Sequence, residues 1–446
     1  MIKTHHIILV AFATMLLSSC GIYKKYERAD MHFVDSLYRR LPVQTDSLSS
    51  ASVSWEEFFT DKPLQDWIRI GLEYNSDLRI AQLKVKEAQA ALTASSWALL
   101  PGADLYAKVG HPGQVSASLE ASWQTDIFGG LRNSKRKAKA ALEQSEAYKQ
   151  AVQTQLVATI AKSYYTLLKL DEQLTISKNT LEAWDESVRT LEALKLAGKT
   201  TEAAVLQAKA NMLNVEASVL TLEKEILSVE NSLCALLSIV PMSIKRNTLS
   251  EQELPEKLCT GIPIELLDNR PDVKQAEMAV AQAYYAVNSA KANFYPNLTL
   301  SGALGWTNGN ISVDPGSIIT NLFASLTQPI FGRGANKARL EAAKAQYAQA
   351  ACAFRQSLLD AGVEVNNALT LWQTAKKRVE LDRKQILNLQ AAIWNTQLLM
   401  KHGNADYLEV LTAQKSLLQA ELTEVSDKYD EIISAVNLYQ ALGGGY

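Results

Sequence analysis

The side chain best placed for covalent chemistry is Cys20. Lys3, His5 and His6 precede an apolar run from Ile7 to Leu17, and the run ends in Leu17-Ser18-Ser19-Cys20-Gly21. That run suits a signal-peptide core and is too short to cross a bilayer as a helix. Its closing residues have the form of a bacterial lipobox, in which small side chains admit a peptidase and the cysteine thiol accepts diacylglycerol. Cys20 is then the first mature residue and carries a covalent lipid. An ordinary signal peptide that happens to hold a cysteine is the plainer reading of the same residues.

Other residues of catalytic type are scattered. His32, His111 and His402 are isolated from one another, and Cys234, Cys259 and Cys352 have neither CxxC spacing nor neighbouring histidines, which speaks against zinc. They read as buried free thiols, with a Cys234–Cys259 disulfide left open in an oxidising compartment. Gly332-Arg333-Gly334 begins like a dinucleotide loop, but Lys337 stands where the third glycine is required. It reads as a turn. No GxxxxGK[ST], HExxH or GxSxG occurs, so no enzyme, metal site or bound cofactor is expected.

Composition narrows the partners. The 446 residues include 45 basic and 47 acidic side chains, a formal charge of −2. Their interspersion argues against a nucleic-acid surface or a polybasic membrane patch. Past Leu17 no stretch approaches the roughly twenty apolar residues of a spanning helix, so the mature chain is peripheral to a membrane or a β-barrel. The periplasmic side of a membrane follows from the signal.

What must position these residues is a duplicated framework. Asp77–Leu105 laid over Asp272–Leu300 without a gap matches Asp77 with Asp272, Ala81 with Ala276, Val85 with Val280, Pro101 with Pro296 and Leu105 with Leu300. Ile127-Phe128-Gly129 matches Ile330-Phe331-Gly332 at an offset larger by eight, and Gly198, Leu206 and Leu213 then pair with Gly403, Leu411 and Leu418. Each half reads as helix, strand pair, very long helix, tight turn, helix. Residues 63–99 are rich in helix formers, and Pro101 ends that helix. From Leu131 to Leu196 there is neither proline nor glycine, enough for a helix on the order of 100 Å long. Leu156, Ile160, Leu167, Leu174 and Leu181 recur at near-heptad spacing, so these rods are expected to pack as coiled coils.

The strands alternate strictly. Ala103, Leu105, Ala107 and Val109 oppose Asp104, Tyr106, Lys108 and Gly110; Val115 to Trp123 alternate with Ser116 to Ser122. In the second copy Leu298 to Trp306 alternate with Asn297 to Gly305, and Leu322, Ala324 and Leu326 oppose Asn321, Ser325 and Thr327. A sandwich edge fits this pattern, but a lipid-facing barrel also explains the uncharged outer face and the tryptophans Trp123 and Trp306 near strand ends. Four strands cannot close a membrane barrel that needs about eight, and open edges in hydrocarbon cost several kcal/mol per unpaired group, so the chain is expected to oligomerise.

Trp55-Glu56-Glu57-Phe58-Phe59, Asn269-Arg270-Pro271-Asp272-Val273, Phe294-Tyr295-Pro296, Gln328-Pro329-Ile330-Phe331-Gly332, Tyr407-Leu408-Glu409-Val410-Leu411 and Ala441-Leu442-Gly443-Gly444-Gly445, in this order, resemble the outer-membrane efflux lipoproteins of the TolC, OprM and NodT type. The resemblance implies a mainly α fold with a membrane β part: a TolC-like duct in which a homotrimer's twelve strands close one barrel, continued by a coiled-coil helical barrel. It also implies a periplasmic adaptor and an inner-membrane RND-type transporter as partners, with the outer membrane as location and efflux of small molecules as role. An exit duct for a type I protein-secretion system, or a periplasmic coiled-coil adaptor, is the alternative. Residues 1–19 are then the signal peptide, 20–62 a lipid-anchored tether whose charges from Lys24 to Asp30 are solvated, 63–240 the first repeat with strands 103–110 and 115–124, 241–271 an equatorial connector, and 272–446 the second repeat with strands 297–306 and 318–328. In such proteins the turns end the periplasmic tips, here Gly198-Lys199-Thr200 and Gly403 to Asp406. Glu409 stands where relatives often carry an acid and Thr412 where they carry aspartate, so a double ring of acids is incomplete. Acids such as Asp406 and Glu409 in a first helical turn also have a plain role in stabilising the helix dipole.

Overall fold

The computed structural model describes residues 24–28, 37, 53–110, 114–252, 269–307, 317–328, 333–401 and 407–444. Cys20, Cys259, Gly403 and Asp406 lie outside these residues. In chain order the elements are α1 (Trp55–Phe58), α2 (Lys62–Tyr74), α3 (Ser76–Trp97), β1 (Gly102–Gly110), β2 (Gln114–Thr125), α4 (Gly130–Leu196), α5 (Glu202–Leu236), α6 (Pro271–Ala292), β3 (Asn297–Thr307), β4 (Ser317–Thr327), α7 (Ala335–Lys401) and α8 (Tyr407–Ala441). The duplication is visible in the lengths: α3 and α6 have 22 residues each, α4 and α7 67, α5 and α8 35. The described residues within Met1–His32, Ala81–Lys149 and Pro271–Leu358 form one compact unit, and those within Phe33–Ile80, Gln150–Arg270 and Leu359–Tyr446 a second.

The single helix expected over residues 63–99 is broken at Asn75. The Asn75 N–H still bonds to the Gly71 carbonyl at 2.9 Å, closing α2. Its side-chain Oδ1 accepts the Leu78 N–H at 2.8 Å, opening α3, while its Nδ2 donates to the Leu236 carbonyl at the end of α5 at 2.8 Å. One asparagine thus caps two helices and ties them to a third, and this tertiary acceptor outweighs the local helix propensity.

In the first unit the four strands form one antiparallel sheet in the order β1-β2-β3-β4. Its register brings like faces together: Leu105 pairs with Leu119, Leu119 with Leu304, and Trp123 with Leu300, whereas Asp104 pairs with Glu120 and Ser122 with Ser301. The apolar face is open to its surroundings, with Leu105 77%, Val109 78% and Leu322 88% exposed. A sheet this apolar on one side requires an apolar cover that the described residues do not supply. Phe323 departs from the alternation: it pairs with Ser301 between Asn321 and Ser325, so an exposed ring stands on the polar face. The tryptophan indole of Trp123 donates to the Leu99 carbonyl at 2.9 Å, fixing the ring where helix becomes strand.

The core of the second unit follows the heptads. Leu156, Ile160 and Leu167 are buried, and Leu174 packs against them. Leu64 and Ile68 of α2 join this core, as do Phe58 and Phe59, with Phe58 stacked on Tyr439 of α8 at 4.1 Å. The segment expected to be tether therefore ends inside the core. Two cysteine readings are sorted by the fold: Cys234 is a free buried thiol, whereas Cys352 is free but exposed, against the expectation of burial.

Candidate functional site

The tip between α4 and α5 is built on Gly198. Its φ of +68° is the left-handed conformation that glycine adopts at least cost. Gly198 N–H bonds to the Lys195 carbonyl and Lys199 N–H to the Leu194 carbonyl, both at 2.9 Å, which is a Schellman closure of α4. Thr201 then caps α5 through its hydroxyl, accepting the Ala204 N–H at 3.3 Å. Ion pairs cross the turn from Lys195 to Glu202 and from Lys209 to Glu192, and the hydrogen bond and charge of Lys209 hold the Glu192 carboxyl below its usual range. Lys199 is exposed and makes no ion pair among the described residues.

At the second tip the description resumes at Tyr407. This tyrosine is buried and donates to the Ser187 carbonyl of α4 at 3.4 Å, and burial pushes its phenol up. Leu411 is buried beside it, in one cluster with Trp184, Leu191 and Val205, against which Leu194, Ala204 and Met400 pack. The residues flanking both turns thus share one apolar plug. Glu409 and Thr412 are exposed. Sequence reasoning singled out Glu409 but not its neighbour Tyr407, which does the packing; an aromatic two residues before the acid was the available signal.

The described charges of the N-terminal segment, Lys24, Lys25, Glu27 and Arg28, are exposed as expected, yet the segment is also held by specific contacts. Arg28 donates twice to Glu277 of α6, at 2.7 Å to each carboxylate oxygen, and Glu277 is buried. Further towards the N-terminus the Tyr26 N–H bonds to the Tyr285 hydroxyl at 3.2 Å, and the Arg136 guanidinium of α4 donates to the Lys24 carbonyl at 3.4 Å. Burial, then the charge of Glu277, pushes the Tyr26 phenol up to about 12. Residues 28, 26 and 24 therefore climb along α6 towards the end that leads into β3. The return from β2 into α4 is fixed by Asp126, whose carboxylate accepts the Leu131 and Arg132 N–H groups at 2.9 and 2.8 Å, and by Gly129 at φ +71°. Before α7, Arg333 and Gly334 form a turn with φ of +49° and +76°, whereas Gly332 lies outside the described residues.

The connector after α5 is pinned by polar contacts. Arg246 bridges Asp171 of α4 and Glu230 of α5, and Asn247 donates to Asp61, which also accepts the buried Tyr164 hydroxyl at 2.7 Å. Arg270 reaches Glu364 at 2.7 Å and the Ala441 carbonyl at 2.8 Å. Gly443, at φ +95°, lies with its Cα against the Asn269 carbonyl. The Asn269-Arg270 motif and the closing glycines are therefore the two sides of one contact.

Among the described residues no three His, Cys, Asp or Glu side chains converge as metal ligands, and no helix is long and apolar enough to cross a membrane. Among the described residues the functional surfaces are an exposed apolar sheet face, the two edge strands β1 and β4 and the capped turn between α4 and α5, features of an outer-membrane channel protein. The profile of the outer membrane efflux protein family matches residues 67–238 and 262–444, and the chain belongs to that family. It is 27% identical over 455 residues to the cation efflux system protein CusC of Escherichia coli strain K12, covering 97% of each chain. It is 28% identical over 411 residues, 89% of each, to the probable outer membrane lipoprotein SilC of Salmonella typhimurium. Among solved structures the outer-membrane channel OprN superposes with a TM-score of 0.85 at 26% identity, covering 95% of this chain and 98% of that one. The protein is an outer-membrane component of an efflux system with a TolC-like fold.

Proposed function

We propose that three copies join their sheets edge to edge, β4 of one against β1 of the next, into a twelve-stranded barrel whose apolar face meets lipid and whose polar face lines a water-filled exit. The observation that carries this is the sheet itself: an up-and-down order leaves β1 and β4 antiparallel at opposite edges, both with unpaired backbone groups that hydrocarbon does not tolerate. The helices continue the duct, and their tips meet a periplasmic adaptor and an inner-membrane RND-type transporter. The chain itself carries out no chemical step and needs no cofactor. Domain limits follow as signal peptide 1–19, tether 20–62, repeats 63–240 and 272–446, and connector 241–271.

Cys20 carries the lipid on this reading. It lies four residues before Lys24, so an extended chain spans up to about 14 Å from the Lys24 contact on α4. That contact sits six residues into α4, near the strands. The lipid would then enter the leaflet at the foot of the barrel. SilC is named a lipoprotein, in keeping with this. Gly198, Lys199, Gly403, Asp406, Glu409 and Thr412 form the periplasmic tips and, in the second hairpin, the constriction. The assembly is tested by sizing the detergent-extracted protein and recording it in planar bilayers. Three chains of 49.1 kDa each, less the signal peptide, and discrete conductance steps are expected. A monomer with intact strands and no conductance would overturn it.

A further inference from the structure

Asp382 of α7 lies between two cross-helix pairs, Arg378–Asp427 and Arg383–Glu424, which bring it alongside Asp427 of α8, and both acids are buried, at 9% and 2% exposure. Arg378, one turn before Asp382, donates to Asp427 Oδ1 at 2.7 Å. With both acids ionised, Asp382 Oδ2 and Asp427 Oδ2 have no hydrogen-bond partner. Two neighbouring carboxylates out of water, with one guanidinium on Asp427, are left with a net negative charge and two orphan acceptors. A single proton between the two Oδ2 atoms removes both faults at once.

We propose that Asp382 and Asp427 share one proton, which makes the packing of α8 on α7 a proton-dependent clasp. The other charges nearby do not replace that proton. Arg383 of α7 is taken by Glu424 of α8 at 3.2 Å, and Lys428 of α8 faces Glu172 of α4 as well as Glu424 and Glu431 on its own helix. Burial first, and the Asp382 hydrogen bond second, push the Asp427 carboxyl up, with Arg378 opposing. The duplication supplies a second, independent observation. At the offset that pairs Gly198 with Gly403, the positions of Asp382 and Asp427 correspond to Ser177 and Leu222. In the first hairpin neutral side chains stand at both positions, so the acid pair is not a requirement of the duplicated pattern.

The sign is fixed by the upward shift. Asp427 binds its proton more tightly folded than unfolded, so the stabilisation is complete below the ordinary aspartate range near about 4 and is lost as pH rises through the raised value. The inference does not depend on the duct reading, because it concerns contacts within one chain. Infrared spectroscopy of the intact protein over a pH series that runs upward from the ordinary aspartate range tests it. One protonated-carboxyl carbonyl band per chain is expected in the wild type and its loss in Asp382→Asn, whose carboxamide donates to Asp427 without a proton to lose. The melting temperature of the wild type should fall as pH rises through the raised Asp427 value, while that of Asp382→Asn stays flat. Asp382→Ser, which copies the first hairpin, serves if the amide variant does not fold. No band in the wild type, or parallel pH profiles for wild type and variants, would overturn the proposal.

Discussion

Two glycines with left-handed backbones show how context sets the energetic role of a residue. Gly198 has φ +68° with nothing within 4 Å of an added Cβ, whereas at Gly443, φ +95°, that Cβ would stand 2.5 Å from the Asn269 carbonyl oxygen. Gly198→Ala should cost only the conformational penalty, about 1 kcal/mol, and Gly443→Ala about 3 kcal/mol or more, because backbone must move as well. Thermal melts of the two variants check this, and equal losses would mean that the C-terminal contact yields freely. The acids at the second tip concern function instead. If three copies of the segment ending at Glu409 surround one axis, their charges favour cations in a narrow passage. Asp406→Asn with Glu409→Gln is expected to lower cation selectivity in single-channel recordings, with the trimer nearly as stable, since exposed charges contribute little. Unchanged selectivity would return both acids to the role of helix-end stabilisation.

At the scale of elements, breaks matter as much as helices. The long α4 needs only an uninterrupted run of helix formers, and the strands need only alternation, so both were legible as local periodicity. The interruption at Asn75 was not, because a mid-helix asparagine reads as a tolerated polar residue until the Leu236 carbonyl is in place. Asn75→Ala should remove the cap of α3 and the tie to α5, costing about 2 kcal/mol. Asn75→Asp keeps an acceptor for the Leu78 N–H but loses the donor to Leu236, and an intermediate loss is expected. If both substitutions melt like the wild type, the break is imposed by packing alone. Phe323 is a different case: the period of two already puts it on the face of Asn321 and Ser325, and the structure adds that its ring is exposed there, opposite Ser301.

For the whole molecule, the open edges and the N-terminal segment bear on how the chain enters its membrane. Cys20→Ser should abolish acylation, yet the assembled barrel should still hold the protein in the outer membrane. Complete release into the soluble periplasm would mean that the strands do not span. By itself the sequence determined the compartment, the duplication, the long helices, the alternating strands and the absence of a catalytic motif, because each is written in composition or in a short period along the chain. It also marked the turn between α4 and α5 by Gly198. Only the tertiary structure decided that Arg28 is clasped by Glu277, that Phe58 stacks on Tyr439, that the Asn269-Arg270 motif meets the closing glycines, and that Asp382 faces Asp427. These contacts join residues far apart in the chain, 249 positions in the first case. Local propensity and periodicity carry no information about such partners; burial, which makes an unpaired charge or a misfitted Cβ costly, selects them only once the helices have packed.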